Sequence, residues 1–119
     1  MGALIAAGAV GSAFAHHGVS TYRMEVIETL DGVVASWDFD NPHTWLTLRV
    51  VGASWEIEGA PPRWMSGQGF TPESLAAGEA VTITYHPHRT QPQAGILMEV
   101  RRADGSVLKV NRPASLGGP

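Results

Sequence analysis

The sequence predicts a mostly β protein, a small OB-like β-barrel of five to six strands with a short helical connection between strands 3 and 4. Three observations predict it. Apolar and polar residues alternate in short runs rich in β-branched and aromatic side chains. The first three runs follow one another through tight breaks, as in a meander. A Pro- and Gly-rich connection that still carries large apolar residues then separates them from the later runs.

From Thr29 the pattern is strand-like, with Leu30, Val34 and Ser36 on one side and Val33, Ala35, Trp37 and Phe39 more loosely on the other. Asp40-Asn41-Pro42 ends it, because proline has no donor for a ladder and asparagine favours turns. The second strand sets Leu46, Leu48 and Val50 against Trp45, Thr47 and Arg49, and Val51-Gly52-Ala53 turns it into a third, Ser54 to Glu58. The connection includes Trp64, Met65, Phe70 and Leu75, so it is expected to pack. In it Thr71-Pro72-Glu73 reads as a helix start and Gly78 as its stop. Strand pattern resumes with Val81, Ile83 and Tyr85 opposite Thr82, Thr84 and His86. After the loop "HPHRTQPQAG" come a strand from Ile96 to Arg102, a hairpin turn at Asp104-Gly105 and its partner, Ser106 to Val110. An open β-roll or sandwich is the alternative to closure.

With 119 residues the chain makes one domain. The segments are 1–15, signal-like; 16–28, an N-terminal arm; 29–110, the barrel; and 111–119, a tail expected to be disordered. A net charge of -3 without a basic stripe excludes a general nucleic-acid binder, whose affinity comes from neutralising phosphate. The absence of cysteine excludes disulfides, thiolate metal sites and thiol nucleophiles.

"MGALIAAGAVGSAFA" is small, apolar and uncharged, and ends in the A-x-A pattern Ala13-Phe14-Ala15 before the polar "HHG". Cleavage there implies a periplasmic or secreted protein that begins at His16, although the usual basic start of a signal is missing. No later segment approaches the roughly 20 apolar residues a membrane-spanning helix needs.

"AHH", "NPHTW", "WEIEGAPP", "GFTPESLAAGEAVTITYHP" and "GILMEVRRADGSVL" come in an order that resembles a small secreted bacterial family of unknown function, DUF6152, over roughly residues 15 to 108. The resemblance implies an exported, mostly β domain and names no activity or site. His88 stands where the family pattern does not lead one to expect histidine.

Five histidines fall in three places: His16-His17, His43, and His86 with His88. Singly, each has a plain structural reading; His43 is a turn residue against Trp45 or Trp37. Together they are metal-ligand candidates, because the loops after the first and fourth strands of an OB barrel flank one face, and an extended arm spans about 3.3 Å per residue. Imidazole nitrogen suits copper, with zinc the second choice. Asp38 and Asp40 are placed to ligate or to fix an imidazole tautomer. Cleavage after Ala15 would add an α-amine of pKa about 7.7–8.0 beside the His16 ring, completing a copper brace with a remote histidine.

No nucleophile elbow, Walker loop, zincin helix or dinucleotide fingerprint is present, and no organic cofactor is expected. Glu56 and Glu58 read as the solvent face of a strand, and Trp37, Trp45, Trp55 and Trp64 as core and rim. The sequence therefore points first to an exported copper carrier, sensor or accessory factor rather than an enzyme. Its alternative is a metal-free module that docks an envelope protein or peptide on the Trp-bearing barrel face.

Overall fold

The computed structural model describes residues 21–112. Strands β1 (Glu28–Asp38), β2 (Trp45–Val50) and β3 (Ala53–Glu58) form the meander, and helix α1 (Pro62–Ser66) follows. Strands β4 (Ala80–Pro87), β5 (Ala94–Arg101) and β6 (Val107–Lys109) complete the chain. The long β1 pairs antiparallel with β2 through Val33–Asp38 and with β4 through Glu28–Val33. A short parallel pairing of β3 with β5 closes the cylinder in the order β1-β2-β3-β5-β4, and β6 extends β5 as a hairpin. This is the OB-like barrel, closed rather than open. Closure leaves the barrel strands no long free edge.

The inward faces of β2 and β4 are those the alternation predicts: Leu46 and Leu48, then Val81, Ile83 and Tyr85, all buried. In β1 the alternation breaks down for a physical reason. A bulge lies between Val34, paired with Leu48, and Ser36, paired with Thr47, so the strand changes phase at Ala35. Val34 before the bulge and Trp37 after it both face the core, with Phe39 packed there too. The same phase change turns Asp38 outward.

The connection packs as expected, but its helix is α1, which starts nine residues before Thr71. Proline in its first turn suits the helix start, and Met65 is fully buried. Residues 71–78 instead form turns in which the Ser74 hydroxyl accepts from Thr71 N–H at 2.7 Å. Gly78 has φ +90 there. Phe70 and Leu75 complete the core.

Both ends of the described chain are tied to the barrel. The arm runs along the β4–β5 connection: Arg23 N–H donates to Pro87 O at 2.8 Å and Arg89 N–H to Thr21 O at 3.0 Å. Past Val110, where order was expected to end, Trp64 Nε1 donates to Asn111 O at 2.7 Å and Arg112 Nη1 to Leu97 O at 2.6 Å. Among the described residues no helix is long and apolar enough to cross a membrane.

Candidate functional site

The NPHTW motif and the EGAPP motif are the two sides of one ladder. Thr44 N–H donates to Ala60 O at 3.1 Å, Gly59 N–H to Thr44 O at 2.8 Å, and the buried Thr44 hydroxyl to Ala60 O at 2.9 Å. The Asn41–Pro42 peptide in this connection is cis. Gly59 is required by contact: a Cβ there would lie 2.0 Å from Thr44 Oγ1. The turn thus fixes His43 and Trp45 against Glu58.

The register then builds the outer face. Asp38 pairs with Trp45 and Trp45 with Glu58, giving one row across β1, β2 and β3. The next row is Ser36, Thr47 and Glu56, with the Thr47 hydroxyl donating to Glu56 at 3.2 Å. Tyr22 of the arm bridges to His88, and its ring meets the imidazole edge-on at 5.4 Å. These elements enclose a cleft of about 400 Å³ lined by Tyr22, Asp38, Trp45, Glu56, His88, Gln91 and Ala94. It lies where OB barrels take ligands, on the strand 2–3 face between the first and the fourth connections. Its volume is in the range of small-ligand pockets.

Glu58, predicted on the solvent face, is 5 % exposed. The arm covers it, a non-local packing that no strand pattern announces. Its carboxylate accepts from the Tyr22 hydroxyl on Oε1 and faces His43 Nδ1 at 3.2 Å on Oε2. Burial, then the charge of Glu58, push the Tyr22 phenol far above its ordinary pKa. Arg112 supplies the opposite charge. Burial pulls its guanidinium down to about 10, while Glu58 and Tyr22 hold it up, so it stays cationic at neutral pH. Its Nη2 is buried with no hydrogen-bond partner among the described residues.

The histidines separate by tautomer. His43 Nδ1 faces two acceptors, Gly59 O at 3.1 Å and Glu58, so it carries the proton and Nε2 is the basic nitrogen. His86 is buried, and its Nδ1 donates to Val26 O at 2.7 Å. His88 is the reverse: its Nδ1 accepts from Thr90 N–H at 3.1 Å and Gln91 N–H at 3.0 Å, which puts the neutral ring's proton on Nε2. Among the described residues no three His, Asp or Glu side chains form a metal-holding group. His43 and His86 are anchored to different segments, Asp38 belongs to the cleft, and Asp40 is exposed in the connection after β1. His16 and His17 lie outside the described residues.

Sequence reasoning missed Tyr22, Gln91, Arg112 and the buried role of Glu58. The only signal was the E-G pair itself, a carboxylate beside a glycine at a strand end. Of the tryptophans, Trp37, Trp55 and Trp64 pack on the core, and Trp45 alone of the four lines the cleft.

Fold and site define a small closed OB-like β-barrel with an acidic, aromatic cleft on its β2–β3 face. The chain belongs to DUF6152, a family of unknown function whose family model matches residues 4–101. No curated protein matches it.

Proposed function

We propose that the protein is an exported binding module that holds a ligand or partner segment in the β2–β3 cleft. The observation that carries this reading is the convergence of Trp45, Asp38, Glu56 and the His88–Gln91 loop around one cavity of about 400 Å³. A cleft of this size, lined by an indole, two carboxylates and an amide, suits recognition. Export rests on the signal-like first segment, and the periplasm is the corresponding compartment. Amide NMR titration of a ligand and peptide panel tests the reading. Shifts should concentrate on Asp38, Trp45, Glu56 and Gln91, and Trp45→Ala should abolish them. Shifts scattered over the far side of the barrel, or none with any panel member, would sink it.

A second reading, copper binding with zinc as the lesser choice, is favoured by the orientation of His43. Metal-bound histidines characteristically donate their second ring nitrogen to a carboxylate or backbone carbonyl, and His43 Nδ1 has both. His16 and His17 lie five and four positions before Thr21, a separation that an extended chain of about 3.3 Å per residue would need to span in order to reach this face. His86 is the next candidate, through its Nε2. His88 is poorly disposed, since its accepting Nδ1 leaves a protonated Nε2. Competition titration of copper(II) should favour protein that starts at His16 over the uncleaved chain. Equal affinity of the two forms would remove the N-terminal histidine and this reading with it.

A further inference from the structure

We propose that the cleft selects a basic side chain, Lys or Arg, presented by a segment of a partner protein. This rests on the cleft being the ligand site and names what it takes. The argument begins with charge. Asp38 and Glu56 line the cavity, and no Lys or Arg is among its described lining residues. The Asp38 carboxylate has no hydrogen-bond or ion-pair partner among the described residues, and that of Glu56 is met there by the neutral Thr47 hydroxyl.

The contrast with Glu58 is informative. That carboxylate, next to the same indole, is answered within the protein by Tyr22, His43 and the nearby Arg112 charge. The charge beneath the cleft is compensated internally, whereas the charge lining it faces outward. The bulge at Ala35 bears on the same point, because it turns Asp38 out beside Trp45. An indole face bordered by carboxylates attracts a cation by its quadrupole and by ion pairing at once. Asp38 and Glu56 stand on strands two apart, about 10 Å of backbone, so they bracket the indole rather than crowd one point.

Alternatives fit less well. A polyanion, the frequent guest of OB barrels, would meet two carboxylates without a Lys or Arg among the described lining residues. A neutral saccharide would stack on Trp45 but leave both charges to lose water without return. A lone small amine would leave most of the cavity empty, while a Lys or Arg side chain with its adjoining backbone uses the volume.

NMR titration of the full-length protein with a capped Gly-Arg-Gly-Arg-Gly peptide tests this, set against the same peptide with citrulline in place of arginine. Citrulline keeps the shape and removes the charge. The arginine peptide should shift the cleft amides and bind about tenfold more tightly than the citrulline one, with a preference that falls as salt rises. Asp38→Asn should weaken it about fivefold and Trp45→Ala about tenfold, whereas Glu73→Gln, exposed elsewhere, should not. Equal affinity of the two peptides overturns the basic-side-chain inference while keeping the cleft as a ligand site. Agmatine binding as tightly as the arginine peptide overturns the partner-segment assignment. No shift at the cleft with any of these probes or with the wider panel overturns both the inference and the reading it rests on.

Discussion

At the scale of single residues, the buried Glu58 carboxylate is the group on which most depends, because three segments meet at it. Glu58→Gln would keep the volume and remove the charge that Arg112, Tyr22 and His43 answer. Breaking one side of a buried charge arrangement costs about 3–5 kcal/mol, since the remaining charge stays buried and unmatched. Tyr22→Phe deletes only the donor and should cost about 1.5–3 kcal/mol, the range for a hydrogen bond to a charged group. His43→Ala should cost less, about 1 kcal/mol, because its ring is partly exposed. Chemical denaturation of the three variants should therefore rank Glu58 above Tyr22 above His43; His43→Ala as costly as Glu58→Gln would contradict the arrangement. The NPHTW motif thus has a structural role in the ladder. Its imidazole also has its basic nitrogen set by a carboxylate and a carbonyl, Glu58 and Gly59. Of this site the sequence displayed His43, Trp45 and the E-G pair. It did not display Tyr22 or Arg112, which arrive from chain positions 36 residues before and 54 after Glu58, distances over which no local periodicity operates.

At the scale of elements, local pattern was readable wherever the chain follows one period and misleading where the period changes. Strands β2 and β4 have intact alternation, and their faces follow from it. In β1 the bulge at Ala35 inserts one residue, so a single phase cannot describe both halves. Thr71-Pro72 carries genuine helix-start chemistry, yet α1 forms earlier, where Met65 can fill the barrel end. The β2–β3 hairpin holds a testable conflict between residue type and turn. Val51 and Gly52 have φ of 47 and 80, the two positive values of a type I′ turn, in which asparagine is favoured at the first place. A β-branched residue there is strained, and Val51 is 102 % exposed, so its side chain returns no packing. Val51→Asn should therefore stabilise the protein by about 1 kcal/mol, seen as a raised denaturation midpoint. Gly95→Ala should do the opposite. A Cβ at that position would lie 2.5 Å from Tyr85 Cδ2 and 2.7 Å from the His86 carbonyl, where β4 and β5 pair. Because the second neighbour is backbone, the strands must separate, at a cost of about 2 kcal/mol.

At the scale of the whole molecule, the barrel is fastened at two points by tyrosines that donate to carboxylates, and this makes its stability sensitive to alkali. The chain has two tyrosines. Tyr22 ties the arm to Glu58, and Tyr85, inside the barrel, donates to Glu28 at the start of β1 at 3.0 Å. Burial, then the hydrogen bond to Glu28, push the Tyr85 phenol up to about 12, and Tyr22 is raised further, by burial first and Glu58 second. In the unfolded chain both phenols ionise near their ordinary value of about 10. Below that pH both states keep the protons, and the full contribution of the two hydrogen bonds is present. Above it the unfolded chain loses protons that the folded barrel retains, so unfolding becomes more favourable with each step in pH. Stability should fall as pH rises from about 10 towards 12 and beyond, first through the unfolded state's ionisation alone. The observable consequence is that tyrosinate absorbance should not develop near pH 10 in the folded protein. It should appear together with the loss of tertiary circular dichroism. Tyr22→Phe tests the assignment, because it lowers stability at neutral pH yet removes part of the alkaline slope. A folded protein that titrates one tyrosine reversibly near pH 10, with its circular dichroism unchanged, would show that the arm does not hold Tyr22 on Glu58 in solution.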